Sequence, residues 1–156
     1  MVRVPVARIV VIDDDPEVVD LLVSYLREEG YGVLGALTID EGIRLVSLSR
    51  PDLVLLDILL PGGMNGIEVL KRIRSIDPTS KVIMVTGSRD PLLAREALEL
   101  GALAYIDKPF DFAYLKRVVA MTLRPRSPTQ TITQGPNQSQ PRHHPPQDDQ
   151  RRQLVE

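Results

Sequence analysis

The chain has 156 residues, a formal net charge of −2, 43% hydrophobic residues and no cysteine. That length can bury one ordinary core, two full domains would be cramped, and the missing cysteines exclude disulfides, zinc thiolate centres and thiol nucleophiles. No apolar run approaches the roughly 20 residues that cross a bilayer, and Met1-Val-Arg-Val-Pro5 lacks a secretory signal's apolar stretch, so a cytoplasmic protein without membrane contact is expected.

Apolar runs and amphipathic segments alternate from residue 8 to residue 123. Arg8–Ile12 is β-branched and closes on the acids Asp13-Asp14-Asp15, which predicts a buried strand. Asp15 then offers a helix cap, with Pro16 as a first-turn proline. Val18, Leu21, Leu22, Tyr25 and Leu26 recur at helical spacing until Gly30 stops the helix. The alternation predicts a strand near Tyr31–Leu37, a helix over Asp40–Ser49, a strand at Leu53–Leu56 closing on Asp57, and a helix from Gly66 to Ser75. It then predicts a strand at Lys81–Thr86, a helix at Pro91–Leu100 stopped by Gly101, a short strand at Ala104–Ile106, and a helix from Asp111 to Leu123. Five strand–helix units with continuously apolar strands imply a parallel sheet covered on both faces, and right-handed crossovers make it doubly wound.

Composition changes near Arg124. Residues 124–156 hold only Ile132, Leu154 and Val155 as aliphatics among many Pro, Gln, Ser, Thr and Arg. Such a segment buries too little to offset the entropy of ordering, so one folded domain over 7–123 and a disordered Pro/Gln-rich tail over 124–156 are expected. The tail's net charge of +2, against −4 for residues 1–123, is far from that of a nucleic-acid arm. His143 and His144 are adjacent in it and make a weak metal site. The tail holds no helix-turn-helix pattern and no catalytic constellation, so neither DNA binding nor an attached enzymatic output is expected.

Open α/β sheets place their chemistry at the carboxyl ends of the strands. Those ends carry Asp13 and Asp14, Asp57, Thr86 and, two residues past Ile106, Lys108. Crowded carboxylates need a compensating cation, and a hard divalent metal such as Mg2+ suits an all-oxygen set. Two carboxylates to hold metal, a third as nucleophile, and a hydroxyl and an ammonium for phosphoryl oxygens are what transfer through an aspartyl-phosphate requires. Asp57 is the natural nucleophile, standing alone on the central strand. Asp15 is read as the helix cap and Asp107 as a solvated neighbour.

In VIDDDP at 11–16, LVLLD at 53–57 with its Pro-Gly-Met-Asn-Gly-like loop, VIMVTG at 82–87 and AYIDKPF at 104–110, the chain resembles the response-regulator receiver domains of two-component signalling. The resemblance implies a flavodoxin-like (βα)5 fold with strand order 2-1-3-4-5. It implies that Asp57 accepts a phosphoryl group from a histidine kinase or histidine phosphotransfer protein. Asp14 would bind Mg2+ directly and Asp13 through water, with the Leu59 carbonyl completing the protein's share of the shell. Thr86 and Lys108 would hold the phosphoryl oxygens, Pro109 would be cis, and Tyr105 would turn inward as Thr86 moves. Partners would then read the face made by the fourth helix, fifth strand and fifth helix, and a phosphorylation-dependent dimer is one form such reading takes. On this view the chain is a phosphoacceptor and not an enzyme.

Two features depart from the family pattern. The loop Leu60-Pro61-Gly62-Gly63-Met64-Asn65-Gly66 is one glycine longer than the common form and has Asn where Asp is usual, which predicts a looser loop beside the metal. Leu59 and Ser88 lie two residues beyond Asp57 and Thr86, where the family tunes hydrolysis, and an apolar Leu59 predicts a long-lived phosphoryl group. A haloacid-dehalogenase-like phosphatase is the alternative of another class, but Asp13-x-Asp15 is followed by Pro16-Glu17, not by that family's Thr or Val, and residues 108–123 lack its late acidic pair. A flavodoxin-like cofactor binder would meet three carboxylates where its flavin phosphate belongs.

Overall fold

The structure, a computed structural model, describes residues 6–60 and 65–124. Its elements are β1 (Arg8–Ile12), α1 (Pro16–Glu28), β2 (Gly32–Ala36), α2 (Ile39–Ser49), β3 (Leu53–Leu56), α3 (Gly66–Ile76), β4 (Lys81–Thr86), α4 (Pro91–Glu99), β5 (Ala104–Asp107) and α5 (Phe112–Leu123). All strand pairs are parallel, in the order β2-β1-β3-β4-β5. The (βα)5 order and the topology are those expected. Element ends shift by a residue or so because side-chain caps set them: Thr38 caps α2 ahead of Asp40, and Asp111 stands outside α5 as its cap.

Alternate side chains along each strand divide the core in two. Val10, Ile12, Val54, Leu56, Val82 and Met84 face α2, α3 and α4, whereas Ile9, Val11, Leu53, Leu55, Ile83 and Val85 face α1 and α5. All four β3 side chains are at most 1% exposed. Each such burial contributes roughly 1.5–3 kcal/mol, so the strand that ends on Asp57 is fixed from both faces. Beyond the strand ends the backbone pairing continues, Asp13 N–H donating to the Ala36 carbonyl at 3.1 Å and Asp57 N–H to that of Ile12 at 3.0 Å. The two acids thus stand just past the strand ends with their N–H groups still tied to the sheet.

The inward face of α1 differs from the one expected. Leu22 and Leu26 are buried and Val18 and Tyr25 pack partly, but Leu21 is 57% exposed and Val19 lies inside in its place. Edge strand β2 explains this. Gly35 leaves a hollow into which Val19 settles, so a Cβ on Gly35 would lie 2.4 Å from Val19 Cγ1. Helical spacing alone carries no information about a glycine on another element.

Asp15 caps α1 as expected, its Oδ1 accepting the Glu17 N–H at 3.0 Å. Asn65 caps α3, its Oδ1 accepting the Glu68 N–H at 3.0 Å. The added glycine is in residues 61–64, outside the described residues, as is the expected disordered tail beyond Arg124.

Candidate functional site

β1 and β3 are neighbours at the point where the strand order reverses, and their carboxyl ends bring Asp13, Asp14 and Asp57 together. One oxygen from each carboxylate lies within 4.8 Å of the others. Asp13 and Asp57 are 3% and 5% exposed, whereas Asp14 faces solvent. Lys108, just past β5, crosses to them: its Nζ donates to Asp13 Oδ2 at 2.5 Å and to Asp57 Oδ2 at 3.0 Å. The remaining oxygens are held by backbone. Asp13 Oδ1 accepts the Asp15 N–H at 3.0 Å, and Asp57 Oδ1 accepts the Leu59 N–H at 3.1 Å.

Burial pushes the Asp13 carboxyl above its usual value, outweighing the hydrogen bonds from Lys108 and the Asp15 N–H. For Lys108 burial acts downward, but its bonds to Asp13 and Asp57 and their charges prevail, and the ammonium titrates above an ordinary lysine. A carboxyl raised in the fold binds its proton more tightly folded than unfolded. Its contribution to stability is therefore complete below the unfolded value near 3.8 and is lost as pH rises through the folded value. Asp13→Asn is accordingly expected to raise the metal-free melting temperature at pH 7 by a few degrees, the gain shrinking as pH falls toward 4. Thermal unfolding in chelator at both pH values checks this; an equal gain at both, or a loss at pH 7, would contradict it.

Thr86 and Tyr105 are brought to the same edge, where among the described residues their side-chain hydrogen bonds go to Ser88 and not to Asp57. Thr86 is fully buried, its Oγ1 accepting the Ser88 N–H at 3.2 Å. Tyr105, half-buried, donates its hydroxyl to the Ser88 carbonyl at 2.8 Å. The Ser88 backbone is thus a shared partner of both side chains. A backbone role of this kind leaves no mark in residue type. Leu59 is 56% exposed beside the acids, and the Lys108-Pro109 peptide is cis.

The chain matches the response regulator receiver domain family over residues 9–120. It belongs to that family. The receiver is 38% identical over 112 residues to Sporulation initiation phosphotransferase F of Bacillus subtilis, covering 72% of this chain and 90% of that protein. It is 41% identical over 117 residues to the DNA-binding response regulator MtrA of Mycolicibacterium smegmatis, covering 75% of this chain and only 50% of that protein. Among solved structures, the CheY-like response regulator receiver domain protein from Methanospirillum hungatei superposes with a TM-score of 0.72 at 35% identity, covering 75% of this chain and 93% of that one.

Receivers of this family bind Mg2+ at an acidic pocket, and the donor set here fits such an ion. Three carboxylates face one ammonium, and no hydrogen bond or ion pair compensates Asp14 among the described residues. Carboxylates whose oxygens lie within 4.8 Å of one another repel by at least about 1 kcal/mol in bulk water and about 3 kcal/mol at a partly buried site. A dication with oxygen ligands and retained waters relieves that repulsion.

Proposed function

We propose that this receiver accepts a phosphoryl group on Asp57 from the phosphohistidine of a histidine kinase or histidine phosphotransfer protein, and signals through protein contacts that depend on it. The observation that carries the reading is Lys108 Nζ lying between Asp13 and Asp57 with Asp14 in reach. An Asp57 carboxylate oxygen forms the new P–O bond while the donor's P–N bond breaks and its imidazole leaves. Asp13, Asp14, Asp57 and the Leu59 carbonyl would hold Mg2+, which would supply positive charge to the acids and the phosphoryl oxygens. Lys108 supplies a second positive charge to those oxygens from the Asp57 side.

Thr86 completes the set by moving to donate its hydroxyl proton to a phosphoryl oxygen, in exchange for the position in which it now accepts the Ser88 N–H. Because the Tyr105 hydroxyl also rests on Ser88, that exchange bears on Tyr105 and on the β4–α4 segment, and the population shifts by the difference in affinity between the two arrangements. The α4, β5 and α5 face, with Leu92, Leu98 and Tyr114 exposed, is where a downstream protein or a second phosphorylated copy would read the change. The match over nearly all of Sporulation initiation phosphotransferase F supports a phosphotransfer role carried by the receiver alone. Our reading includes no direct nucleic-acid contact and no turnover of other substrates. A cytoplasmic setting agrees with a kinase donor, and among the described residues no helix is long and apolar enough to cross a membrane.

The test is incubation of the full chain with acetyl phosphate, followed by intact mass. A gain of one phosphoryl group with Mg2+ and none in chelator is expected; multiple turnover of a phosphate ester would instead establish the phosphatase alternative. Exposed Leu59 offers no hydrogen bond to attacking water, so the phosphorylated chain is expected to persist for minutes or longer. Decay within seconds, followed by mass after donor removal, would contradict that.

A further inference from the structure

We infer that Gly66 is a positioning residue for the phosphorylation site, aiming the Asp57 carboxylate through the Ile58–Leu59 peptide. Gly66 opens α3, and its N–H donates to the Ile58 carbonyl at 2.7 Å. The other end of that same peptide, the Leu59 N–H, donates to Asp57 Oδ1 at 3.1 Å. A peptide unit is planar and stiff, so fixing its carbonyl fixes its N–H. Gly66 thereby sets where Asp57 Oδ1 is held, leaving Oδ2 toward Lys108.

Only glycine fits there. A Cβ on Gly66 would stand 2.4 Å from the Asp57 carbonyl oxygen and 2.4 Å from Ile58 Cα, contacts with backbone that no side-chain rotation relieves. A methyl group must push α3 and the Asp57–Leu59 segment apart, lengthening the bond to the Ile58 carbonyl and tilting the peptide. Its effect falls on the site first. β3 itself stays fixed by its buried side chains, and alanine is the better helix former within α3.

The inference rests on the reading of Asp57 as phosphoacceptor, and the experiment separates the two. Wild type, Gly66→Ala and Gly35→Ala are compared for the rate of phosphorylation by acetyl phosphate, for the Mg2+ dissociation constant by calorimetry, and for melting temperature. Gly35→Ala introduces an equally close contact, 2.4 Å, but against Val19 on α1. Gly66→Ala is expected to slow phosphorylation at least tenfold and weaken Mg2+ several-fold at temperatures where it is fully folded, while Gly35→Ala lowers the melting temperature and leaves both unchanged. A Gly66→Ala rate and Mg2+ affinity equal to wild type, or the same losses in Gly35→Ala, would overturn the inference. Failure of wild type itself to be phosphorylated would overturn the parent reading instead. Should Gly66→Ala not fold, amide exchange in the wild type decides. The Gly66 and Leu59 N–H groups are expected to be protected and to slow together when Mg2+ is added, and a Gly66 N–H that exchanges freely would overturn the proposal.

Discussion

Asp57→Asn is expected to leave the chain folded and to abolish phosphoryl acceptance, a loss of at least about a thousandfold in rate. The substitution is close to isosteric. Asn Oδ1 can still accept the Leu59 N–H that Asp57 Oδ1 accepts at 3.1 Å, so the β3 end keeps its shape. The group turned toward Lys108 becomes an amide donor facing an ammonium, and Lys108 then keeps only Asp13. What is lost is the nucleophile: a neutral amide has no anionic oxygen to attack phosphorus. Intact mass after acetyl phosphate and Mg2+ checks this, with melting temperature as the control for folding. A phosphorylated Asp57→Asn chain would move the acceptor to Asp13 or Asp14, the carboxylates within 4.8 Å.

Lys108→Met is expected to separate metal binding from chemistry. The lysine ammonium and Mg2+ compete for the same carboxylates, since Lys108 Nζ contacts both Asp13 and Asp57. Removing it leaves those buried acids uncompensated, so the metal-free variant should be less stable at neutral pH and recover part of the loss in acid, where Asp13 takes up its proton. Mg2+ affinity should rise, because the competing cation is gone. Phosphorylation should nevertheless slow by about 100- to 1,000-fold, the usual cost of deleting one group that stabilises developing charge in a transition state. Calorimetry with Mg2+ and the acetyl phosphate rate are the two measurements. Weaker metal binding together with an unchanged rate would show Lys108 to be a structural ion-pair partner only.

Much of the fold was legible in the chain. β3 reads as buried because Leu53–Leu56 is a continuous apolar run, and all four side chains are covered. Asp15 and Pro16 announce the start of α1, and Oδ1 of Asp15 does accept the Glu17 N–H. These are local rules, in which backbone and neighbouring side chains decide the outcome. The inward face of α1 was misread at Leu21 because the space that received Val19 is made by Gly35 on β2, an element the helix period does not sense.

The candidate site divides in the same way. Asp13, Asp14, Asp57, Thr86 and Lys108 follow from residue type at predicted strand ends, because a parallel sheet sends all those ends to one edge. The sequence by itself therefore determined the alternation of five strands and five helices, the acidic character of that edge and its suitability for Mg2+ and phosphoryl chemistry, whereas the strand order was implied by the family resemblance and observed in the sheet. Only the tertiary structure decided how the groups are engaged: Lys108 between Asp13 and Asp57, Thr86 and Tyr105 both on the Ser88 backbone, and Gly66 against the Ile58 carbonyl. The reason is physical. Side-chain chemistry is carried by residue type, whereas backbone donors, acceptors and clearances are common to every residue and acquire meaning only when the packing of distant segments sets their distances.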